Sequence, residues 1–165
     1  MNNSDAYYNE LINLMNSNSD SLVIQNTEGI NGEIVLHFNK QATEEELATL
    51  SEKIGRGIPK DYEEFLRITN GCRLFGEEND LYSVDTVIEQ KIITDSTYEK
   101  PELLNVACIL QDYIFVDLKK VASGSSEYMH VIDMYSPLEY MRSLNCDFKT
   151  WLDRLIESKG NKYWE

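Results

Sequence analysis

The sequence predicts an α+β fold in which helices pack on one side of an antiparallel sheet. Amphipathic helical patterns lie toward both ends of the 165-residue chain, whereas runs of β-favouring residues lie between them. In addition, three of these runs follow one another closely, as in an antiparallel meander. The length is typical of one domain, so we expect a single domain over residues 1–165.

The N-terminal region predicts a helix followed by a hairpin. Apolar residues recur with helical spacing at Tyr8, Leu11, Ile12 and Met15. Ser4 lies just upstream and is a candidate N-cap. The runs 21–25 and 33–38 are rich in β-favouring residues, and the polar segment between them contains Gly29 and Gly32, which indicates a hairpin.

Two consecutive helices are predicted next. Thr43 and Glu46 stand at the two ends of a capping box, and Gly55 marks the end of the helix that they begin. Pro59 suits the first position of the following helix, and Asn70-Gly71 suits a left-handed cap at its end. The apolar stripe of that helix is formed by Ile58, Tyr62, Phe65, Leu66 and Thr69. We therefore expect Tyr62 and Phe65 to be core residues.

The C-terminal half predicts mainly strands, and it ends in a helix. A short strand at 81–83 precedes a short helix from Val84 to Lys91. The runs 106–110 and 113–118 flank a two-residue turn at Gln111-Asp112, and a third run follows at 128–133. Asp147 is placed to cap the final helix, whose apolar stripe is Phe148, Trp151, Leu152, Leu155 and Ile156.

The charge of the chain limits the classes of partner. Twenty-nine Asp and Glu against fifteen Lys and Arg give a net charge of −14, which argues against nucleic acid and against an anionic membrane surface. The first residues lack the pattern of a secretory signal, so we expect a cytoplasmic protein. The three cysteines, Cys72, Cys108 and Cys146, are widely separated, which favours buried thiols over a disulfide framework or a zinc site.

The segment from Ile58 to Gly71 has a distinctive order: an apolar residue and Pro, an acid and an aromatic, Phe-Leu, then Asn-Gly. This order resembles the SUKH superfamily, the Smi/Knr-like group, and the resemblance extends over residues 42–158. It implies an α+β fold and, for bacterial members, immunity proteins that bind and silence a cognate toxin. Fungal members resemble regulatory hubs in cell-wall signalling, and neither role is catalytic. The matched residues are fold determinants: Pro59, Tyr62, Phe65, Leu66, Asn70 and Gly71.

The candidate partner-binding surface is acidic and contains tyrosines, which are enriched where proteins meet proteins. Its residues are Glu77, Glu78, Asp80, Tyr82, Asp112 and Tyr113, and we expect both tyrosines to be exposed beside their polar neighbours. An acidic surface of this kind is complementary to a toxin such as a cationic nuclease.

No catalytic fingerprint is found in the sequence, so we expect no enzyme activity, cofactor or metal. Two alternatives remain open. One is a regulatory scaffold of the fungal type, which differs from an immunity protein only in its partner. The other is a metal-assisted hydrolase, which requires that Glu77, Glu78, Asp80 and Asp117 converge in one pocket.

Overall fold

The structure is a computed structural model that describes residues 7–17, 21–25 and 31–165 of the protein. The predicted N-cap Ser4 and the predicted turn residue Gly29 lie outside the described residues. The described part of the chain forms six α-helices: α1 (Asn9–Asn16), α2 (Glu44–Ile54), α3 (Lys60–Ile68), α4 (Val84–Tyr98), α5 (Leu118–Ala122) and α6 (Phe148–Glu157).

The strands form two antiparallel sheets. The smaller sheet pairs β1 (Ser21–Gln25) with β2 (Asn31–Val35), so the predicted hairpin is present. The larger sheet contains seven strands in chain order: β3 (His37–Phe38), β4 (Cys72–Arg73), β5 (Asn79–Leu81), β6 (Leu103–Ile109), β7 (Asp112–Asp117), β8 (Met129–Asp133) and β9 (Arg142–Ser143). The predicted second strand is therefore divided, because β2 pairs in the small sheet and β3 pairs in the large one.

Local capping explains where most helices begin. The predicted capping box of α2 is present: the Glu46 N–H donates to Thr43 Oγ1 at 3.1 Å, and the Thr43 N–H donates to Glu46 Oε2 at 2.7 Å. Asp147 caps α6 by accepting from the Thr150 N–H at 2.8 Å. Each of these bonds pairs backbone N–H groups that the helix itself leaves unpaired.

Three helix boundaries differ from the predicted ones. Pro59 lies just before α3 and not at its first position, and α3 ends at Ile68, because Thr69 is already extended. The helix therefore ends before Asn70-Gly71. Helix α4 runs on to Tyr98, well beyond the predicted end at Lys91.

The hairpin between β6 and β7 turns one residue earlier than predicted. Leu110 and Gln111 both have positive φ, at 46° and 72°, as the two central residues of a tight hairpin turn require. Asp112 is therefore the first residue of β7 and not a turn residue. Its side chain is buried, so its predicted place on an exposed surface is wrong.

The buried Asp112 carboxylate instead binds the C-terminal tail. It accepts from Lys162 Nζ at 3.0 Å and from Trp164 Nε1 at 2.8 Å. The Arg142 guanidinium donates to the Trp164 carbonyl at 3.3 Å. These bonds hold the tail against the end of β7 and against β9.

One face of the large sheet packs against the helices, as the sequence predicts. Strand residues on this face join helical residues in the main core: Leu104, Ile114, Val116, Met129 and Val131 from the sheet, and Leu66, Leu152 and Leu155 from α3 and α6. At its centre, Phe148 packs on Tyr62 and Phe65 with ring centroids 4.9 and 5.1 Å apart. Tyr62 and Phe65 are thus core residues, as predicted.

The other face of the sheet has a much smaller core. Leu103, Phe115 and Ile132 are buried there, and Tyr98 from the end of α4 packs on Phe115 with ring centroids 6.3 Å apart. Because neighbouring residues of a strand point to opposite faces, β7 contributes Ile114 to the main core and Phe115 to this one.

Asp61, in the first turn of α3, joins several distant segments. Its Oδ1 accepts from the Tyr128 hydroxyl, and its Oδ2 accepts from the Lys149 N–H at 3.0 Å. Its backbone carbonyl accepts from the Tyr8 hydroxyl at 2.7 Å. One residue therefore connects α3 to the start of α1, to the residue before β8 and to the first turn of α6.

We expect Phe65→Ala to lower the free energy of unfolding by about 3–5 kcal/mol, the usual cost of emptying a buried aromatic site. Phe65 is 0% exposed, between Tyr62 and Phe148. Urea denaturation measures the change, with Ile92→Ala as the control because Ile92 is 67% exposed. An unchanged midpoint for Phe65→Ala would contradict the packing described.

We expect Gly71→Ala to be destabilising for two reasons. Gly71 has φ +83°, and an added Cβ would lie 2.7 Å from both Leu81 O and Ser83 N. The matched control is Gly124→Ala, because Gly124 has φ +80° with nothing within 4 Å of an added Cβ. The control should lose about 1–2 kcal/mol from left-handed strain alone, and Gly71→Ala should lose more. Equal losses in urea denaturation would exclude the steric cause.

We expect Asp61→Asn to lower the free energy of unfolding by about 1–3 kcal/mol, because the amide replaces a charged acceptor and leaves a donor unpaired. Glu45→Gln is the control, since Glu45 also lies in a first helical turn but is exposed. Thermal or urea unfolding of both variants tests the expectation. If the two variants lost the same small amount, the Asp61 bonds would contribute little to stability.

Candidate functional site

The predicted acidic loop is exposed at one end of the large sheet. Glu77 and Glu78 lie between β4 and β5 with exposed side chains. The Glu78 carbonyl accepts from the Leu110 N–H at 2.9 Å, so the loop adjoins the turn between β6 and β7. The Gln111 carbonyl of that turn accepts from the Met134 N–H at 2.9 Å. The acidic loop, the hairpin turn and the end of β8 therefore meet at the same end of the sheet.

Cross-strand pairing places Asp80 and Tyr113 on the same face. Asp80 is opposite Cys108, and Cys108 is opposite Tyr113, so the three side chains form a row on the face that carries the smaller core. Asp80 and Tyr113 are both partly exposed. Arg73 lies opposite Asp80 at the other end of this row.

Burial raises the pKa values of the side chains in this row. Burial raises the pKa of the Asp80 carboxyl, and the nearby Arg73 guanidinium partly offsets that increase. Burial also raises the pKa of the Cys108 thiol and of the Tyr113 hydroxyl. Burial therefore favours the neutral thiol and the neutral phenol.

Tyr82 lies under this row and not on the surface. Its side chain is 7% exposed, so its predicted exposure is wrong. Burial raises the pKa of its hydroxyl, which lies near Cys108, Tyr113 and Asp80. Tyr82 follows β5 directly and belongs to the main core cluster. Of the two predicted surface tyrosines, Tyr113 alone is partly exposed.

A groove lies beside Tyr113, between α4 and the sheet. We call it the α4 groove and define it by its lining: Gln90, Ile93, Thr94, Thr97 and Tyr98 from α4, Asn105, Tyr113 and Phe115 from the sheet, and Met134 after β8. The α4 residues recur at i, i+3, i+4, i+7 and i+8, which is one face of a helix. The cavity volume is about 240 Å³.

A β-bulge directs Asn105 into this groove. Asn105 pairs with Phe115 and Ala107 pairs with Ile114, so Val106 is the additional residue. The bulge lets Asn105 and Cys108 share a face although they are three residues apart. The prediction missed Asn105, because the predicted strand began at Val106. A polar amide inside the apolar run from Leu103 to Leu110 was the available signal.

The carboxylates that a hydrolase requires do not meet. Asp117 is at the opposite end of β7 from Asp112, about 16 Å along the strand. Its Oδ1 caps α5 by accepting from the N–H groups of Lys119 and Lys120 at 2.9 and 3.1 Å. It is therefore remote from Glu77 and Glu78, which are near the Asp112 end.

The described part of the chain also lacks a metal-binding cluster and a membrane-spanning helix. Over residues 7–17, 21–25 and 31–165, no group of three or more His, Cys, Asp and Glu side chains could hold a metal ion. Among those residues, no helix combines the length and the apolar character needed to cross a bilayer.

Comparison with known proteins finds two similar proteins of Bacillus subtilis (strain 168) and one matching family. The chain is 31% identical over 134 residues to Uncharacterized protein YnaB, and the alignment covers 78% of this chain and 86% of that protein. It is 26% identical over 150 residues to Uncharacterized protein YobM, with 84% and 79% covered. Residues 41–154 match the SMI1 / KNR4 family (SUKH-1), which confirms the resemblance found in the motif around Pro59. The match covers more than half of the 165 residues, and the chain therefore belongs to the SMI1 / KNR4 family (SUKH-1).

Proposed function

We propose that this protein is a bacterial immunity protein that neutralises a cognate toxin domain by stoichiometric binding. The toxin domain is cationic, as a nuclease domain is, and the binding surface includes Glu77, Glu78, Asp80 and Tyr113. Tyr82 and Asp112 support this surface from beneath. Family membership makes a protein partner the first expectation, and the homologous bacterial chains place the family in bacteria.

The observation that most favours this proposal is the location of exposed carboxylates next to a partly exposed tyrosine. Glu77 and Glu78 are exposed at the end of the sheet where Tyr113 and the α4 groove also lie. Protein-binding surfaces commonly combine an aromatic anchor with a polar rim. This end of the sheet has both parts.

The net charge of −14 supports the same partner class. A nuclease surface is built to hold phosphates, so it presents positive charge to solvent. Opposite fields steer two proteins together and raise the association rate above that of neutral partners. A strongly acidic inhibitor therefore finds a cationic toxin rapidly, before the toxin meets its substrate.

The direct test uses the proteins encoded by the genes that flank this chain's gene, and any large neighbouring protein supplies its C-terminal domain as the candidate toxin. The purified domain and this protein should elute together in size-exclusion chromatography with a fixed stoichiometry. Coexpression should also abolish the toxicity of the domain. If no neighbouring product forms a complex, the immunity role is wrong, and the regulatory role of the fungal relatives becomes the better explanation.

We expect the association rate to depend on salt and on the acidic loop. Raising the ionic strength from about 0.01 to 0.15 M shortens the Debye length from about 30 to 8 Å, which should slow association about tenfold while dissociation changes little. The variant E77Q/E78Q/D80N should bind more slowly and should depend less on salt.

The matched control is E45Q/E52Q/E127Q, which removes the same charge from exposed positions elsewhere. Stopped-flow or surface plasmon resonance measurements should show near-normal association for this control. If both triple variants slowed association equally, net charge alone would explain the steering, and the acidic loop would have no special role.

A further inference from the structure

The α4 groove exposes apolar surface that the described part of the chain does not cover. Ile93 lines the cavity and is 53% exposed. Tyr98, Tyr113 and Met134 line the same cavity and are only partly buried. Exposed apolar residues that are clustered in this way mark binding sites more often than isolated ones do.

A buried polar atom lies at the wall of this cavity. Asn105 is 1% exposed, and its Oδ1 has no hydrogen-bond partner among the described residues. Its Nδ2 makes only a long contact of 3.4 Å with Gln90 Oε1. A buried acceptor without a partner is costly, so an unpaired acceptor at the wall of a cavity points to a donor on an occupant.

The volume of the α4 groove and the charge around it indicate what kind of group can occupy it. A cavity of about 240 Å³ is smaller than the usual site of a drug-sized ligand, about 300–1,000 Å³, but it can admit a large apolar side chain. The lining residues are uncharged, whereas Glu77 and Glu78 lie at the adjoining end of the sheet. An occupant with positive charge beside an apolar side chain complements this arrangement.

We propose that the α4 groove is the anchor site for the toxin partner, whose cationic surface inserts one large apolar side chain between α4 and β7. An N–H of the inserted segment donates to Asn105 Oδ1, and flanking basic residues face the acidic loop. This inference rests on the proposed immunity function and identifies the pocket through which that function is performed.

Two variants test the anchor, and the probe is the neighbouring-gene domain that coelutes with this protein. Ile93→Gln makes the cavity wall polar. Asn105→Leu removes the acceptor with little change in shape. Each should make the complex dissociate about tenfold faster, as expected for a residue at an interface hot spot, while the association rate and its salt dependence stay unchanged.

Stability separates a binding role of Asn105 from a structural one. If Asn105 served the fold alone, its replacement by Leu would lower the urea midpoint. Because Oδ1 has no partner within the described residues, we expect the midpoint of Asn105→Leu to stay the same or to rise while binding weakens. A lowered midpoint with unchanged dissociation would overturn the inference.

Ile92→Gln is the matched control, because Ile92 is the more exposed neighbour and does not line the cavity. It should leave dissociation unchanged. Suppose that the wild-type complex forms but Ile93→Gln and Asn105→Leu dissociate at the same rate as Ile92→Gln. The anchor site is then wrong and the immunity function stands. If the wild-type protein forms no complex with the toxin domain, both proposals fail.

Discussion

The Asp61 carboxylate is the contact on which the arrangement of the helices depends. It accepts hydrogen bonds from the Tyr128 hydroxyl and from the Lys149 N–H, while its own backbone carbonyl accepts from Tyr8. Asp61 is partly buried, and hydrogen bonds to a charged acceptor are stronger than those between neutral groups, so its pairing favours an arrangement in which these segments approach it together. The pairing fixes α1, α3 and α6 relative to the sheet, and the rings of Tyr62, Phe65 and Phe148 pack in the space between them.

The two faces of the large sheet differ in how much apolar area they bury. The face toward α3 and α6 contains the main core and provides most of the buried apolar area. Among the residues that the structure describes, the other face is covered only in part, by the end of α4 and by the short segments around β9. The fold can therefore tolerate a groove on that side, because the stability of the sheet does not depend on filling it. The proposed binding site, the α4 groove, lies on this less tightly packed face.

The proposed surface combines two physical effects that act at different stages of binding. Carboxylates on an exposed loop act over a distance and mainly affect the rate of encounter. A cavity lined by aromatic and aliphatic side chains acts only after contact and mainly affects how long the complex lasts. The close spacing of the acidic loop and the α4 groove would let one partner segment use both effects. The acidic residues alone would give attraction without specificity.

The sequence by itself determined the α+β class, the family motif, the meander and most helix starts, because helix caps and apolar periodicity depend on residues close together in the chain. The capping box at Thr43 and the Asp147 cap are examples. The apolar stripe of α3 also predicted the burial of Tyr62 and Phe65, but only the tertiary structure decided the burial of Asp112 and Tyr82. The hairpin turn at Leu110-Gln111 lies one residue earlier than predicted, and that shift places Asp112 in a strand, where it binds Lys162 and Trp164 about 50 residues away. Tyr82 is buried and not at the predicted surface, and Asn105 reaches the groove through a bulge. These outcomes depend on which distant segments meet, and no local pattern in the chain specifies such contacts.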